Sequence, residues 1–316
     1  MKRNITNLLL FLALLPVTGC SDKMAQEESA PVPINLYATG KDLSAVTKAT
    51  EIVPFGTTIF ASTQSGVYTT LDALYEWKKE ANVGKDGSVS FTDNSKPSYP
   101  ETGGWIYLVA VAPVPQAATI DQSKGTVTYT LSNTPQDILY AKEIRGSRWD
   151  NQRFSGNTTP ANDKPLVYEH LLTQLKFKAK KVNNTAKSVK VTKISVKGVK
   201  NVLSVPLATG KPACSGSAQL DLTPANGGVE VSGTLTAIGS LLLPPLESGS
   251  YSITVETSIG TFSDVPITFD KSTPQPFQSG VSHEITLAIS DASLEVVTVK
   301  VADWGNQTGG SDLPIN

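Results

Sequence analysis

From Ile34 onward the chain alternates apolar and polar residues in short runs, beginning with Ile34, Leu36 and Ala38 in INLYA, whose one face can enter a core as a strand. Val89 and Phe91 alternate in the same way in GSVSFTD, and Val127, Tyr129 and Leu131 in GTVTYTL. KSVKVTKISVKGVK places Val189 and Val191, then after a shift Ile194 and Val196, on one side and lysines on the other. A period of two sends successive side chains to opposite faces, so each run predicts a strand with one buried and one wet face. The lysine row reads as an ordinary solvated face. GWIYLVAVAP is more continuously apolar, as in a central strand, and ends at Pro113 and Pro115. YTTLDALYEWKKE sets Leu71, Leu74 and Tyr75 at helical spacing. Its short length and aromatic content leave helix and strand both open, strand being preferred.

Residues 145–165 (RGSRWDNQRFSGNTTPANDKP) carry no apolar repeat and read as a linker or long surface loop. Strands resume beyond it. PLVYEHLLTQLKFKAKKV shows one buried face through Leu172, Leu175 and Phe177. Three more strands follow in the stretch from GSLLLPP to VPITF, and SHEITLAI and LEVVTVKVADW close the pattern. About seven strands per half, with turn signals every 8–12 residues, predict an all-β chain of two sandwiches with separate cores. The domains expected are residues 34–163 and 164–316.

The first 33 residues follow another rule. Lys2 and Arg3 precede an apolar run over residues 8–17, which is shorter than the roughly 20 residues a spanning helix needs. Charged start, short apolar run and small residue describe a secretory signal, residues 1–19, removed on export. Gly19 and Cys20 in VTGC resemble the bacterial lipobox, in which the cysteine is acylated and becomes the mature N-terminus. Cys20 is therefore the expected lipid anchor. Residues 20–33 are polar, acidic and proline-flanked, as in a solvated tether.

Composition removes most other functions. The net charge is −1, which gives no electrostatic footprint for nucleic acid. Cys214 is the only cysteine besides Cys20, so no disulfide forms once Cys20 is lipidated. It sits in a turn-like segment without a nearby base. The two histidines, His170 and His283, are far apart in sequence, and a hydrogen-bonded core role suits His170 better than ligation. Nucleophile elbow, phosphate loop, zinc motif and paired cysteines are all missing from the sequence. The acidic residues form no calcium loop. The expectation is a non-enzymatic protein without metal or cofactor.

Several segments taken in order resemble the fimbrillin family of Bacteroidetes. After the lipobox come VTKATEIVPFGTTIFAS, GWIYLVAVAPVP and TPQDILYAKE, then YEHLLTQLKFKAK, LLLPP and the terminal VTVKVADWGNQTGGSDLPI. YEHLLTQLKFKAK resembles the family's histidine-bearing first strand of the second domain. The resemblance implies two transthyretin-like Greek-key β-sandwich domains in a fimbrial subunit reaching the outer membrane as a lipoprotein through Cys20. It implies proteolysis after a basic residue, here between Lys48 and Ala49, where many members carry arginine. Loss of the N-terminal strand then opens a groove for a strand from another fimbrial subunit. Shaft, tip, anchor and accessory roles stay open, as does a host or bacterial surface receptor. The processed form would belong to a fimbrium. The competing reading is a surface glycan-binding lipoprotein that uses exposed aromatics such as Trp77 or Trp149.

Overall fold

The computed structural model describes residues 30–40, 53–182, 188–267, 277–291, 293–302 and 304. Cys20, Lys48 and Ala49, on which the lipidation and processing expectations rest, lie outside the described residues.

The first half contributes β1 (Ala38–Gly40), β2 (Phe55–Ser62), β3 (Asp72–Ala73), β4 (Glu76–Val83), β5 (Val89–Phe91) and β6 (Ile106–Ala112). It continues with β7 (Ile120–Asp121), β8 (Thr126–Thr130), β9 (Leu139–Gly146) and β10 (Leu166–His170). The second half holds β11 (Thr173–Lys181), β12 (Val189–Val199), β13 (Val202–Pro206), β14 (Ala213–Ser215), β15 (Ala218–Leu222) and β16 (Val229–Val231). Then come β17 (Thr236–Leu243), β18 (Ser252–Thr257), β19 (Gly260–Pro266), β20 (Ser282–Ile289) and β21 (Leu294–Ala302). The only helical elements among the described residues are short 3-10 turns. The chain is all-β. The ambiguous stretch at 68–80 carries the hairpin of β3 and the start of β4, with Leu74 at its tip and 77% exposed.

The principal sheet runs β1-β10-β9-β6-β2-β4-β3, with β5 also on β4. Strand alternation gives it a core on each face. Ile106, Leu108, Ala110 and Ala112 of β6 enter one apolar cluster, while Val109 and Val111 enter the other. In β9, Leu139 and Ala141 divide from Tyr140 in the same way. A strand buried on both faces needs no polar face, which is why GWIYLVAVAP reads as continuously apolar. Two further sheets, β17-β11-β20-β21 and β15-β12-β18-β19 with β16 on β12, belong to the second half.

The expected separation of cores at residues 145–165 is not what the structure shows. β8 of the first half pairs antiparallel with β13 of the second, inside the small sheet β14-β13-β8-β7. The larger cluster is continuous from Phe60, Val109 and Val127 through Leu203 and Val205 to Leu175 and Ile285. The described residues from Pro31 onward form one compact unit. The 163/164 boundary is also displaced. β10 joins the first sheet beside β9, so sheet membership changes between His170 and Thr173. YEHLLTQLKF therefore spans two sheets, and its histidine ends the first half's last strand.

Residues 145–165 are a hydrogen-bonded loop closing onto the first half. Phe154 is fully buried and stacks on Tyr99 with ring centroids 5.6 Å apart. Asn157 Nδ2 donates to Asp163 Oδ1 (2.8 Å) and to the Arg153 carbonyl (3.1 Å). Lys164 N returns to the Phe154 carbonyl at 2.7 Å. One buried aromatic and a side-chain bonding network give this segment a fixed shape without any periodic pattern.

Candidate functional site

Residues 31–40 occupy a groove along the edge of the principal sheet. Alternation in INLYA has the expected result: Ile34, Leu36 and Ala38 are 4%, 8% and 1% exposed and belong to the smaller core, while Asn35 faces out. Both flanks of the segment are hydrogen bonded. On one side Ile34 N donates to the Pro97 carbonyl and Ala38 N to the Gly87 carbonyl, each at 2.7 Å, and Tyr99 N donates to the Val32 carbonyl at 3.0 Å. On the other, β1 pairs in parallel with β10 through Ala38–Leu166, Thr39–Val167 and Gly40–Tyr168. Leu166 N donates to the Tyr37 carbonyl at 2.9 Å. Val32 and Pro33, within the stretch expected to be tether, take part in these contacts.

The groove wall is built from residues with locked polar ends. Tyr99 accepts the Phe154 amide on its hydroxyl oxygen at 2.7 Å, and burial pushes its pKa up to about 12. Phe55 meets Tyr168 edge-on with centroids 5.0 Å apart. Thr57 Oγ1 lies 2.7 Å from the Val111 carbonyl and 2.8 Å from the Tyr168 hydroxyl. The carbonyl can only accept, so Thr57 donates to it and Tyr168 donates to Thr57. Ser155 Oγ reaches over the segment to the Asn35 carbonyl at 3.0 Å. Sequence reasoning found the buried positions by their period. It missed Tyr99, Phe154 and Ser155, which sit in loops where nothing repeats.

A second constellation joins three distant points of the chain. His170 Nδ1 and Asp137 Oδ2 are 2.5 Å apart in a site where both side chains are buried. The imidazole stacks on Trp304, with centroids 4.0 Å apart and planes 25° from parallel. This is a hydrogen-bonded core histidine. It ties β10 and the segment before β9 to the residues beyond β21. His283 is buried on β20, edge-on to Phe277, and burial lowers its pKa. The thiol of Cys214 is half-buried, and burial pushes its pKa up. Among the described residues, histidine, cysteine and carboxylate side chains form no group that could hold a metal.

The two candidate aromatic platforms differ. Trp77 is buried in the smaller core beside Phe91, which removes it as a surface binder. Trp149 is 59% exposed.

A sequence profile of the fimbrillin-like family matches residues 45–304. No curated protein matches the chain. Among solved structures, a candidate cell adhesion protein from Bacteroides uniformis is 16% identical, with 87% of this chain and 99% of that one covered, at a TM-score of 0.58. A second candidate cell adhesion protein, from Bacteroides ovatus, is 16% identical over 89% of this chain and all (100%) of its own, at 0.57. The tip fimbrial protein Mfa3 from Porphyromonas gingivalis, with a C-terminal truncation, is 12% identical over 86% and 99%, at 0.50. At such identities the likeness is one of fold. The family rests on the profile, which covers most of the sequence: the chain belongs to the fimbrillin-like family.

Proposed function

We propose that this protein is a subunit of a cell-surface fimbrium that assembles by strand exchange through the groove now filled by residues 31–40. The observation that carries the reading is the seating of Ile34, Leu36 and Ala38. Three alternating apolar side chains enter a core while their backbone is gripped from both sides. Removing the segment would bare apolar surface and unpaired amides and carbonyls together, and a strand from another fimbrial subunit would repair both. Each fully buried aliphatic residue contributes roughly 1.5–3 kcal/mol before ordering costs.

In this reading the precursor is exported as an outer-membrane lipoprotein acylated on Cys20. Cleavage between Lys48 and Ala49 releases lipid and groove strand together, because both lie N-terminal to the cut. The two sheet systems would be transthyretin-like sandwiches, and the protein would act in adhesion with no catalytic role. The family supports a fimbrial, surface-appendage location, and the groove supports the exchange.

Limited trypsin digestion of the folded protein tests the exchange. The expected product begins after Lys41 or Lys48, stays folded, and binds a synthetic peptide of residues 30–40 once its own strand has been displaced. A trimmed product that has lost its strand and takes up neither that peptide nor another subunit would sink the proposal. For the anchor, Cys20→Ala should abolish palmitate labelling and outer-membrane retention; equal labelling of the variant would remove that part alone.

A further inference from the structure

The end of β9 and the loop that follows it present aromatic faces and cations together. Trp149 lies against a glycine turn in which Gly103 has φ +78°. A β-carbon at residue 103 would stand 2.3 Å from the Trp149 Nε1, so the indole rests on bare backbone there and turns the rest of its surface to solvent. Two residues on, the Trp105 ring has the Arg145 guanidinium 4.7 Å and the Lys164 ammonium 5.6 Å from its centroid. Arg148 lies 5.7 Å from the Trp149 ring and donates from Nη1 to the Glu101 carbonyl at 2.7 Å.

Arg145 and Lys164 are held in place and, among the described residues, form no ion pair with a carboxylate. Lys164 Nζ donates to the Arg145 and Gln152 carbonyls, each at 3.1 Å. Ser147 N reaches the Gln152 carbonyl and Gln152 N the Trp149 carbonyl, both at 3.0 Å. Nearby carboxylates are engaged within the loop: Asp150 accepts from Thr158 N, and Asp163 from Asn157. Partial burial, and after it the neighbouring Arg145 guanidinium, push the Lys164 pKa down. An arriving anion would oppose both effects.

We propose that this face, formed by Trp105, Trp149, Arg145, Arg148 and Lys164, binds an acidic saccharide bearing uronate or sulfate groups. A flat, half-exposed indole suits the apolar C–H face of a pyranose ring, and a guanidinium beside it suits a carboxylate or sulfate. Nucleic acid is disfavoured because the chain carries a net charge of −1 and the cations are confined to one loop. The loop also carries Phe154 and Ser155 of the groove wall. None of the five side chains proposed to bind sugar takes part in the hydrogen bonds that hold the groove strand, so the proposal does not rest on strand exchange.

The test uses the full, uncleaved chain. Tryptophan fluorescence and calorimetry would follow titration with a glucuronate-bearing hexasaccharide, its carboxyl-reduced form, and a sulfated hexasaccharide. Binding of at least one acidic sugar is expected, with at least tenfold weaker binding of the reduced form. Trp149→Ala and Arg145→Gln, both at exposed positions, should each weaken binding at least tenfold while circular dichroism is unchanged. Polyglutamate serves as the control for charge alone. The proposal is overturned if neither acidic sugar binds, if the reduced sugar binds equally, or if polyglutamate competes equally and Trp149→Ala has no effect. None of these outcomes bears on trypsin trimming or peptide uptake, so the two readings fail separately.

Discussion

Six of the nine tyrosines are buried, and each hydroxyl has a named partner. Tyr68 donates to Glu143, Tyr129 to the Pro113 carbonyl, Tyr140 to the Leu207 carbonyl and Tyr251 to the Pro244 carbonyl. Tyr168 donates to Thr57, and Tyr99 accepts from Phe154 N. Burial raises all six pKa values, those of Tyr99 and Tyr140 to about 12. A group whose folded pKa is raised contributes stability that is intact below its unfolded pKa, about 10 for tyrosine, and is lost as pH rises through the folded value. Denaturant melts should therefore change little between pH 7 and 9 on account of these groups and weaken steeply from pH 10 to 12. Phenolate absorbance should report the buried set only on unfolding; six tyrosines ionising reversibly in the native state near pH 10 would contradict this. At single positions, Tyr99→Phe should cost about 1–3 kcal/mol, because it leaves the buried Phe154 amide without an acceptor. Gly210 has φ +66°, and a β-carbon there would meet Tyr140 Cε1 at 2.1 Å, so Gly210→Ala should destabilise by about 2–4 kcal/mol in urea melts. Little of this was legible beforehand. Trp77 and Trp149 look alike as candidates in sequence, and burial of a lone aromatic depends on what the fold brings over it.

At the scale of elements, the legible strands were those whose partners impose one wet face. Val127 with Tyr129, and Val189 with Val191, announce themselves because the opposite face of each strand stays polar. INLYA was legible for the same reason. Sheet membership was not, because nothing local in YEHLLTQLKF marks the passage from β10 to β11: Leu171 and Leu172 are both buried, so the connection looks like more strand. Residues 145–165 were correctly read as lacking a repeat, yet they do not divide the chain, since Phe154 and the Asn157–Asp163 bonds anchor them to the first half. The groove strand yields the sharpest element-scale prediction. Leu36→Ala should cost about 2–3 kcal/mol in urea unfolding of the uncleaved chain. After trypsin cleavage, the same change should speed departure of the strand at least tenfold, measured by release of labelled residues 30–40. An unchanged release rate would mean that the backbone bonds to Gly87, Pro97 and Leu166, and not side-chain burial, hold the segment.

For the whole molecule, the consequence of a shared core is cooperativity. Leu203 on β13 pairs with Tyr129 of β8 on one side and with Cys214 of β14 on the other, and it is fully buried in the larger cluster. The hydroxyl of Tyr140 on β9 crosses to the Leu207 carbonyl at 2.8 Å, and Asp137 and His170 reach Trp304 beyond the last strand. Opening one half would therefore expose apolar surface belonging to the other, which makes a half-unfolded state costly. Two sandwiches with independent cores would melt in two steps. This arrangement should melt in one, with far-UV circular dichroism and tryptophan fluorescence superimposing along the urea axis. Leu203→Ala sharpens the test because it digs a cavity at the seam, worth about 2–5 kcal/mol. Both signals should shift together to lower urea by the same amount. Two resolved transitions, with the substitution moving only one, would show that β8–β13 pairing joins the halves without coupling their stability.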